Sequence, residues 1–338
     1  LDKRIKMAAG AGIAALALAV AGGGYYYFHV QADTPEYAIK TVGESIAEHN
    51  LNEFHRVVNV DSVLDSGYEG LVDGMIAPTA VISPESEDIL KNFTQMFRTP
   101  LMLSLKAAVD SYVATGDFNV GEKAEIMKLI EQIGLNNIEI RGVKNIEISD
   151  ADKNEAFADL ILYQPELGRE FPIQIVLTRT KDDRWQVNRV ENFKNYVAQI
   201  IQARREQLDD YLTKAGEINA RHEATMRDAE QKYGAILALG SLAQDKTRSE
   251  LKTLLNDVFK ADWEVRKQEL FSLPVPTEAV PLHNLYMKIC DMSISAAQDY
   301  AKWMDDKNVA TIKSAENKIH QVQTLITEAA DLAKRMTS

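Results

Sequence analysis

Thiols are almost missing from this chain of 338 residues: Cys290 stands alone, which excludes a disulfide framework, a CxxC redox centre and any multi-thiolate metal site. Basic residues are scarce as well, 38 Lys and Arg against 50 Asp and Glu, for a formal charge of -12. A surface of that sign does not neutralise phosphates, so no nucleic acid is expected as a partner. Only 17 Gly and 9 Pro are present, in a chain that is 46% hydrophobic and 26% charged, which excludes collagen-like and low-complexity classes. The six histidines show neither HxxxH nor HxH spacing, so they carry no local metal-binding signal.

What is present starts with Met7 to Phe28, 22 residues without a charge, enough helix for the roughly 30 Å hydrocarbon layer of a bilayer. Lys3, Arg4 and Lys6 stand before it, and Tyr25, Tyr26, Tyr27 and Phe28 close it, as an aromatic belt does at the headgroups. The positive flank predicts a cytoplasmic amino end with the bulk of the chain extracytoplasmic, periplasmic or extracellular. A secretory signal cut after Val30-Gln31-Ala32 is the competing reading, but the apolar run exceeds the usual h-region. The chain opens on Leu1, so further residues are expected upstream. Ala11, Ala15, Ala19 and Gly23 recur every four positions, a small-residue face that lets a second transmembrane helix, from another protein or another copy, approach closely. Membrane lipid, through residues 7–28, is therefore an expected partner.

Charge then divides the remainder. The first six residues net +2, residues 7–191 about -13, and residues 192–338 only -1. Three parts follow: a cytoplasmic stub and anchor over 1–32, an acidic region over 33–191, and a nearly neutral one over 192–338. Thr34-Pro35-Glu36 reads as an N-cap with Pro at the first helical position, and a short helix follows around Leu51 to Val58. Gly67, Gly70 and Gly74, with Pro78 and Pro84, predict broken structure. Helical pattern resumes after Pro84 through Tyr112 and again from Glu122 to Ile133.

At Asn137 the period changes to two. Ile138 to Ile148 reads as a strand pair or one bent strand, followed by strands over Glu155–Tyr163, Phe171–Leu177 and Trp185–Arg189, joined by hairpin-length connections. Helices followed by antiparallel strands make an α+β layer. Thr34, Pro35, Tyr37, Phe54, Val60, Asp61, Trp185 and Val187 stand in a pattern that resembles an uncharacterised bacterial family of membrane-anchored proteins with an NTF2-like (cystatin-like) extracytoplasmic domain. The resemblance covers roughly residues 7–195. It implies a curved sheet wrapping a helix around a cone-shaped cavity, and no reaction. Phe157, Asp159, Ile161, Tyr163, Phe171 and Trp185 are the expected lining of that cavity.

From Asn192 the spacing is helical throughout. Phe193 to Ile236 forms one long helix at nearly 3.6 residues per turn. Gly240 interrupts it, and Ser241 with Gln244 suggests a capping box for a second helix. Leu282 to Tyr300 predicts a third, and a fourth carries Val309, Ile312, Ile319, Val322, Ile326, Ala329 and Ala333 inward. Four such helices are expected to form an antiparallel bundle.

Local motifs offer little chemistry. Asp150, Asp152 and Asn154 begin a calcium loop, but Glu155 and Ile161 replace its glycine and its bidentate glutamate. Gly240 to Thr247 nearly spells a phosphate loop, with Asp245 where the second glycine must stand. Cys290 and His283 lie two helical turns apart, too far for a thiol–imidazole pair. Asp159 is a candidate base only if its strand face lines a cavity; alternation on a half-exposed sheet is the simpler account. No catalytic, cofactor or metal site is expected, hence no enzyme. The expected role is a membrane-anchored accessory subunit or scaffold binding another membrane or envelope protein, or itself, with a small-molecule module or enzyme using the cavity as the alternative.

Overall fold

Thr34 satisfies one of the orphaned amides at the start of the first described helix: its Oγ1 accepts from the Tyr37 N–H at 3.2 Å, and Pro35 follows where a missing N–H costs nothing. This helix, α1, runs Pro35–Ala47 in a computed structural model that describes residues 33–76, 84–116 and 138–337. Asn50 caps α2, Leu51–Val57, by accepting from the Glu53 N–H at 3.1 Å. Two longer helices follow, α3 over Val60–Ile76 and α4 over Pro84–Thr115. The expected transmembrane span, its face of Ala11, Ala15, Ala19 and Gly23, and the helix expected from Glu122 to Ile133 all lie outside the described residues. Among the described residues no helix is long and apolar enough to cross a membrane.

Four strands come next: β1, Glu139–Ile148; β2, Glu155–Gln164; β3, Arg169–Arg179; β4, Trp185–Val190. They pair in sequence order, each antiparallel to the next, so the chain is α+β with most of its described residues helical. Ile138 to Ile148 is one bent strand rather than a pair. Its register against β2 shifts between Ile140 and Gly142 and again between Val143 and Asn145, and such bulges bend a strand. At the other edge Val58 makes a parallel bridge to Val187, and Asn59 Nδ2 donates to Asn188 Oδ1 at 3.1 Å, fixing the entry to α3.

Gly67, Gly70 and Gly74 do not break the chain; all three lie inside α3. The reason is proximity. A Cβ on Gly70 would stand 2.9 Å from the Phe193 Cβ, and one on Gly74 would stand 2.7 Å from both the Lys194 carbonyl and the Val197 Cβ. Glycine there accepts the helical entropy penalty so that another backbone can lie against α3. Around this contact Ile39, Phe54, Leu64, Val109, Phe193 and Tyr196 form one apolar core with the sheet's buried face.

The long helix α5 spans Phe193–Leu239, 47 residues. The chain divides into two compact units inside it, the first ending at Arg204 and the second running from Arg205. In the second unit α6, Asp245–Leu254, continues through a π-helical segment, Leu255–Lys260, into α7, Ala261–Phe271. A 3₁₀ turn at Thr277–Ala279 leads to α8, Val280–Asp306, and then α9, Val309–Thr337. Between α8 and α9 Lys307 takes a left-handed conformation at φ 54, and Lys318 Nζ reaches Asp299 Oδ2 at 2.6 Å, so these two helices run antiparallel.

Two expectations fail here. The capping box does not form, because α6 starts at Asp245 with Gln244 as its N-cap and no side-chain cap bond; Ser241 stands three residues before the cap, where its hydroxyl accepts from the Ala243 N–H at 3.2 Å. On α9 the buried stripe passes through Ala315, Val322, Leu325 and Ala329, whereas Val309 and Ile326 are 63% and 47% exposed. At about 100° per residue Val309 lies far from Ala315 around the helix, outside the covered arc, whereas Ile326 lies beside the stripe and is exposed although its position on the wheel is an inward one.

Candidate functional site

Strand alternation divides the six residues expected to line a cavity. On β2 Ala156, Ala158, Leu160 and Leu162 are fully buried, while Phe157, Asp159, Ile161 and Tyr163 occupy the other, half-buried face. Phe171 pairs with Leu162, so it lies on the buried face, where it and Trp185 are 5% and 3% exposed. Two of the six are thus core residues and four are not. Phe171 meets the Tyr196 ring edge-on at 5.8 Å, and Phe193 stacks on Tyr196 at 5.7 Å, so side chains fill the space over this part of the sheet. On the half-buried face Asp159 Oδ1 accepts from Gln174 Nε2 at 2.9 Å, and the Arg141 guanidinium lies 3.6 Å over the Tyr163 ring. These are pairings that settle a sheet surface.

The other motifs resolve into structure. Asp152 accepts from the Asn154 N–H at 2.9 Å and Lys153 pairs with Asp150, as in an ordinary polar turn. Gly240 is required because any Cβ would run into the Thr247 hydroxyl; Thr247 itself is 4% exposed. His283 Nδ1 lies 3.2 Å from the Tyr211 hydroxyl, not beside Cys290. Among the described residues no group of three or more His, Cys, Asp or Glu converges as metal ligands. Burial pushes the Cys290 thiol up to about 11, and the side chain is 1% exposed. At neutral pH it is a thiol, and the thiolate is the reactive form. Maleimide should therefore label native Cys290 at least roughly a hundredfold more slowly than the urea-unfolded chain, as read by intact mass.

A cavity of about 490 Å³ opens within the second unit. Every helix of the unit but α6 contributes to its wall: Met226 and Tyr233 from α5, Leu255 and Phe259 from the π-helical segment, Trp263 and Arg266 from α7, Ser293, Ala297 and Tyr300 from α8, Ile319, Val322 and Ile326 from α9. Glu223 and Glu230 stand at an exposed rim. A second cavity of about 250 Å³ shares Glu223, Trp263, Arg266 and Ile326 and extends past Tyr286, Cys290 and Ala329. Small side chains, Ser293 and Ala297 on α8 and Ala329 and Ala330 on α9, line the two cavities.

Two polar atoms of residues in this wall are fully buried and lack partners. Arg266 is 6% exposed; its Nη2 donates to the Asn219 carbonyl at 2.7 Å, and the guanidinium lies 4.4 Å from the Trp263 ring centroid. Its Nε is buried without an acceptor, and so is the hydroxyl of Ser293, which is 4% exposed. Burial lowers the Arg266 pKa, an effect offset in part by Asp262 and Glu223; guanidinium nevertheless stays protonated. Next to this site His222, 5% exposed, sits between two carboxylates, with Nδ1 2.8 Å from Asp262 Oδ1 and Nε2 3.0 Å from Glu269 Oε2. Sequence reasoning places His222 on an apolar stripe as a hydrogen-bonded core histidine, and the structure supplies its two partners.

In comparisons with known proteins no family model matches the chain, and neither a curated protein nor a solved structure matches it.

Proposed function

We propose that this chain is a membrane-tethered, extracytoplasmic binding protein without chemistry of its own, and that its binding site is the cavity between the four helices of residues 205–338. The apolar, positively flanked run over 7–28 supports the tether and the orientation. A single observation carries the binding role: a largely apolar cavity of about 490 Å³ with a few polar residues in its wall, the ordinary make-up of a small-molecule site. The resemblance to NTF2-like anchored proteins places a cavity over the sheet instead. That location loses support where Phe171, Trp185, Phe193 and Tyr196 occupy the space. Against catalysis stands the exposure of the rim carboxylates Glu223 and Glu230, since a general acid needs burial to raise its pKa.

Native mass spectrometry of the full chain released from mild detergent tests the proposal. The expected result is a small-molecule adduct that disappears in Ile326→Trp, which plugs the cavity from an exposed position. A bare mass under all conditions would sink it.

A second reading has its own support, an accessory subunit that docks on another envelope protein through one end of the antiparallel helices. Arg248 Nη1 donates to the Leu242 carbonyl at 2.7 Å and its Nε to the Met304 carbonyl at 3.1 Å, drawing two helix ends together. Leu239 and Val309, at the same end, are 92% and 63% exposed. Copurification in mild detergent should capture a companion that Leu239→Asp releases; a protein that stays solitary counts against it.

A further inference from the structure

Four aromatic side chains stand in the wall of the larger cavity, each from a different element: Tyr233 from α5, Phe259 from the π-helical segment, Trp263 from α7 and Tyr300 from α8. None is sealed into a core as Phe193 and Tyr196 are; all four are half-buried and keep aromatic surface open to an occupant. The face of an aromatic ring is negative and attracts a cation within about 6 Å of its centroid. The Arg266 guanidinium, 4.4 Å from the Trp263 centroid, is an internal instance of that attraction.

The charges around the cavity favour the same sign. Glu223 and Glu230 belong to its wall and are exposed. Burial raises the Tyr300 pKa, and the Glu316 carboxylate and the Tyr233 phenol raise it further, as a negative local potential does. No ion pair among the described residues uses Glu223, Glu230 or Glu316. Arg266, the one cation in the described wall, is 6% exposed, and its charge is offset by Asp262 and Glu223. We infer that the cavity receives an organic cation with an apolar body, its charge seated among the aromatic rings and drawn in by Glu223 and Glu230. This rests on the binding role proposed above and adds the ligand's charge and chemistry to it. An anion of the same size would meet carboxylates at the mouth and only a buried guanidinium inside. A neutral apolar molecule would gain nothing from the rim.

Equilibrium dialysis of the full chain in dodecyl maltoside, with empty micelles subtracted, tests this. The probes are tetraphenylphosphonium and tetraphenylborate, which share a shape and carry opposite charges. Tetraphenylphosphonium should bind saturably at one to one, at least about tenfold more tightly than tetraphenylborate. Benzyltrimethylammonium should displace it. If phosphocholine also displaces it, the source is a lipid headgroup; if not, the source is a free organic cation, and either upholds the assignment. Phe259→Leu, which keeps apolar bulk and removes the ring, should weaken tetraphenylphosphonium about fivefold. Glu230→Gln, at an exposed position, should weaken it about threefold at low ionic strength and less at high salt. Ile326→Trp, with unchanged helical circular dichroism, should lose at least about tenfold.

Equal affinity for the two probes, tetraphenylphosphonium that benzyltrimethylammonium does not displace, or folded Ile326→Trp binding as tightly as the parent overturns the inference. So does full affinity in both Phe259→Leu and Glu230→Gln. If neither probe binds while the native mass still carries its adduct, the cationic assignment falls and the binding role stands. Neither probe binding together with a bare native mass removes both.

Discussion

Replacing His222 with Ala lowers the unfolding free energy of the helical unit by about 3 kcal/mol, the range seen when one partner of a buried charged group is deleted. Both ring nitrogens face carboxylate oxygens, at 2.8 Å and 3.0 Å. A carboxylate only accepts, so the two bonds are satisfied together when each nitrogen carries a proton. The two carboxylates then respond differently to the loss. Glu269 is 34% exposed and keeps Arg221 at 2.6 Å, so water and the guanidinium replace the imidazole. Asp262 is 10% exposed, and its Oδ2 already has no partner. Most of the penalty is therefore the desolvated Asp262. Adding Asp262→Ala to the His222→Ala background should recover more than half of the loss, whereas Glu269→Ala should recover little. His222→Gln, whose amide can serve one carboxylate, should fall between. Urea unfolding followed by tryptophan fluorescence, with hydrogen exchange assigning the change to residues 205–338, measures all four. A His222→Ala change below about 1 kcal/mol would mean that Asp262 finds another donor or water.

How far these residues were legible in advance depends on how local their causes are. Thr34-Pro35 announces α1 because capping is settled within four residues, and the alternation of Ala156 to Leu162 against Phe157 to Tyr163 announces β2. Which of those two faces is covered is a different question. Both carry large apolar groups, and only Asp159 breaks the tie, toward the half-buried face that the structure gives it. A glycine in a turn and a glycine under a crossing backbone look alike in sequence, so the glycines of α3 read as a break until Phe193 and Val197, more than a hundred residues on, are known to lie there.

The cavity of the second unit was less legible still. Arg266 and Ser293 come from different helices, and neither belongs to a motif. The Leu251, Leu254, Leu255, Val258 and Phe259 pattern reads as a plain amphipathic helix, with nothing in it to mark a π-helical segment. One local signal was available: Trp263 and Arg266 stand three apart, on one helix face, where an arginine can lie on an indole. Ser293 and Ala297, two small residues one turn apart on α8, were the other. A charged residue inside an apolar stripe is expected to be paired, and the sequence does not name the partner.

The same contrast between close approach and open space yields the second large effect. Gly74→Val should destabilise the first unit by about 3 kcal/mol or more, and Gly74→Ala by about 1–3 kcal/mol. Even the alanine Cβ would stand 2.7 Å from the Lys194 carbonyl, and a backbone oxygen held within α5 cannot swing aside as a side-chain tip does. Gly70→Ala should cost less, since its nearest contact is at 2.9 Å. Gly234 is the control: it too is helical, yet a Cβ there meets nothing within 4 Å. Gly234→Ala should therefore stabilise by about 0.5–1 kcal/mol, the intrinsic preference of a helix for alanine over glycine. Opposite signs for one chemical change at two helical glycines separate packing from propensity. Thermal unfolding with hydrogen exchange on either side of Arg204 reads both. If Gly74→Ala also stabilises, α3 does not lie against Lys194 and Val197 in solution, and the core built around Phe193 must be arranged otherwise.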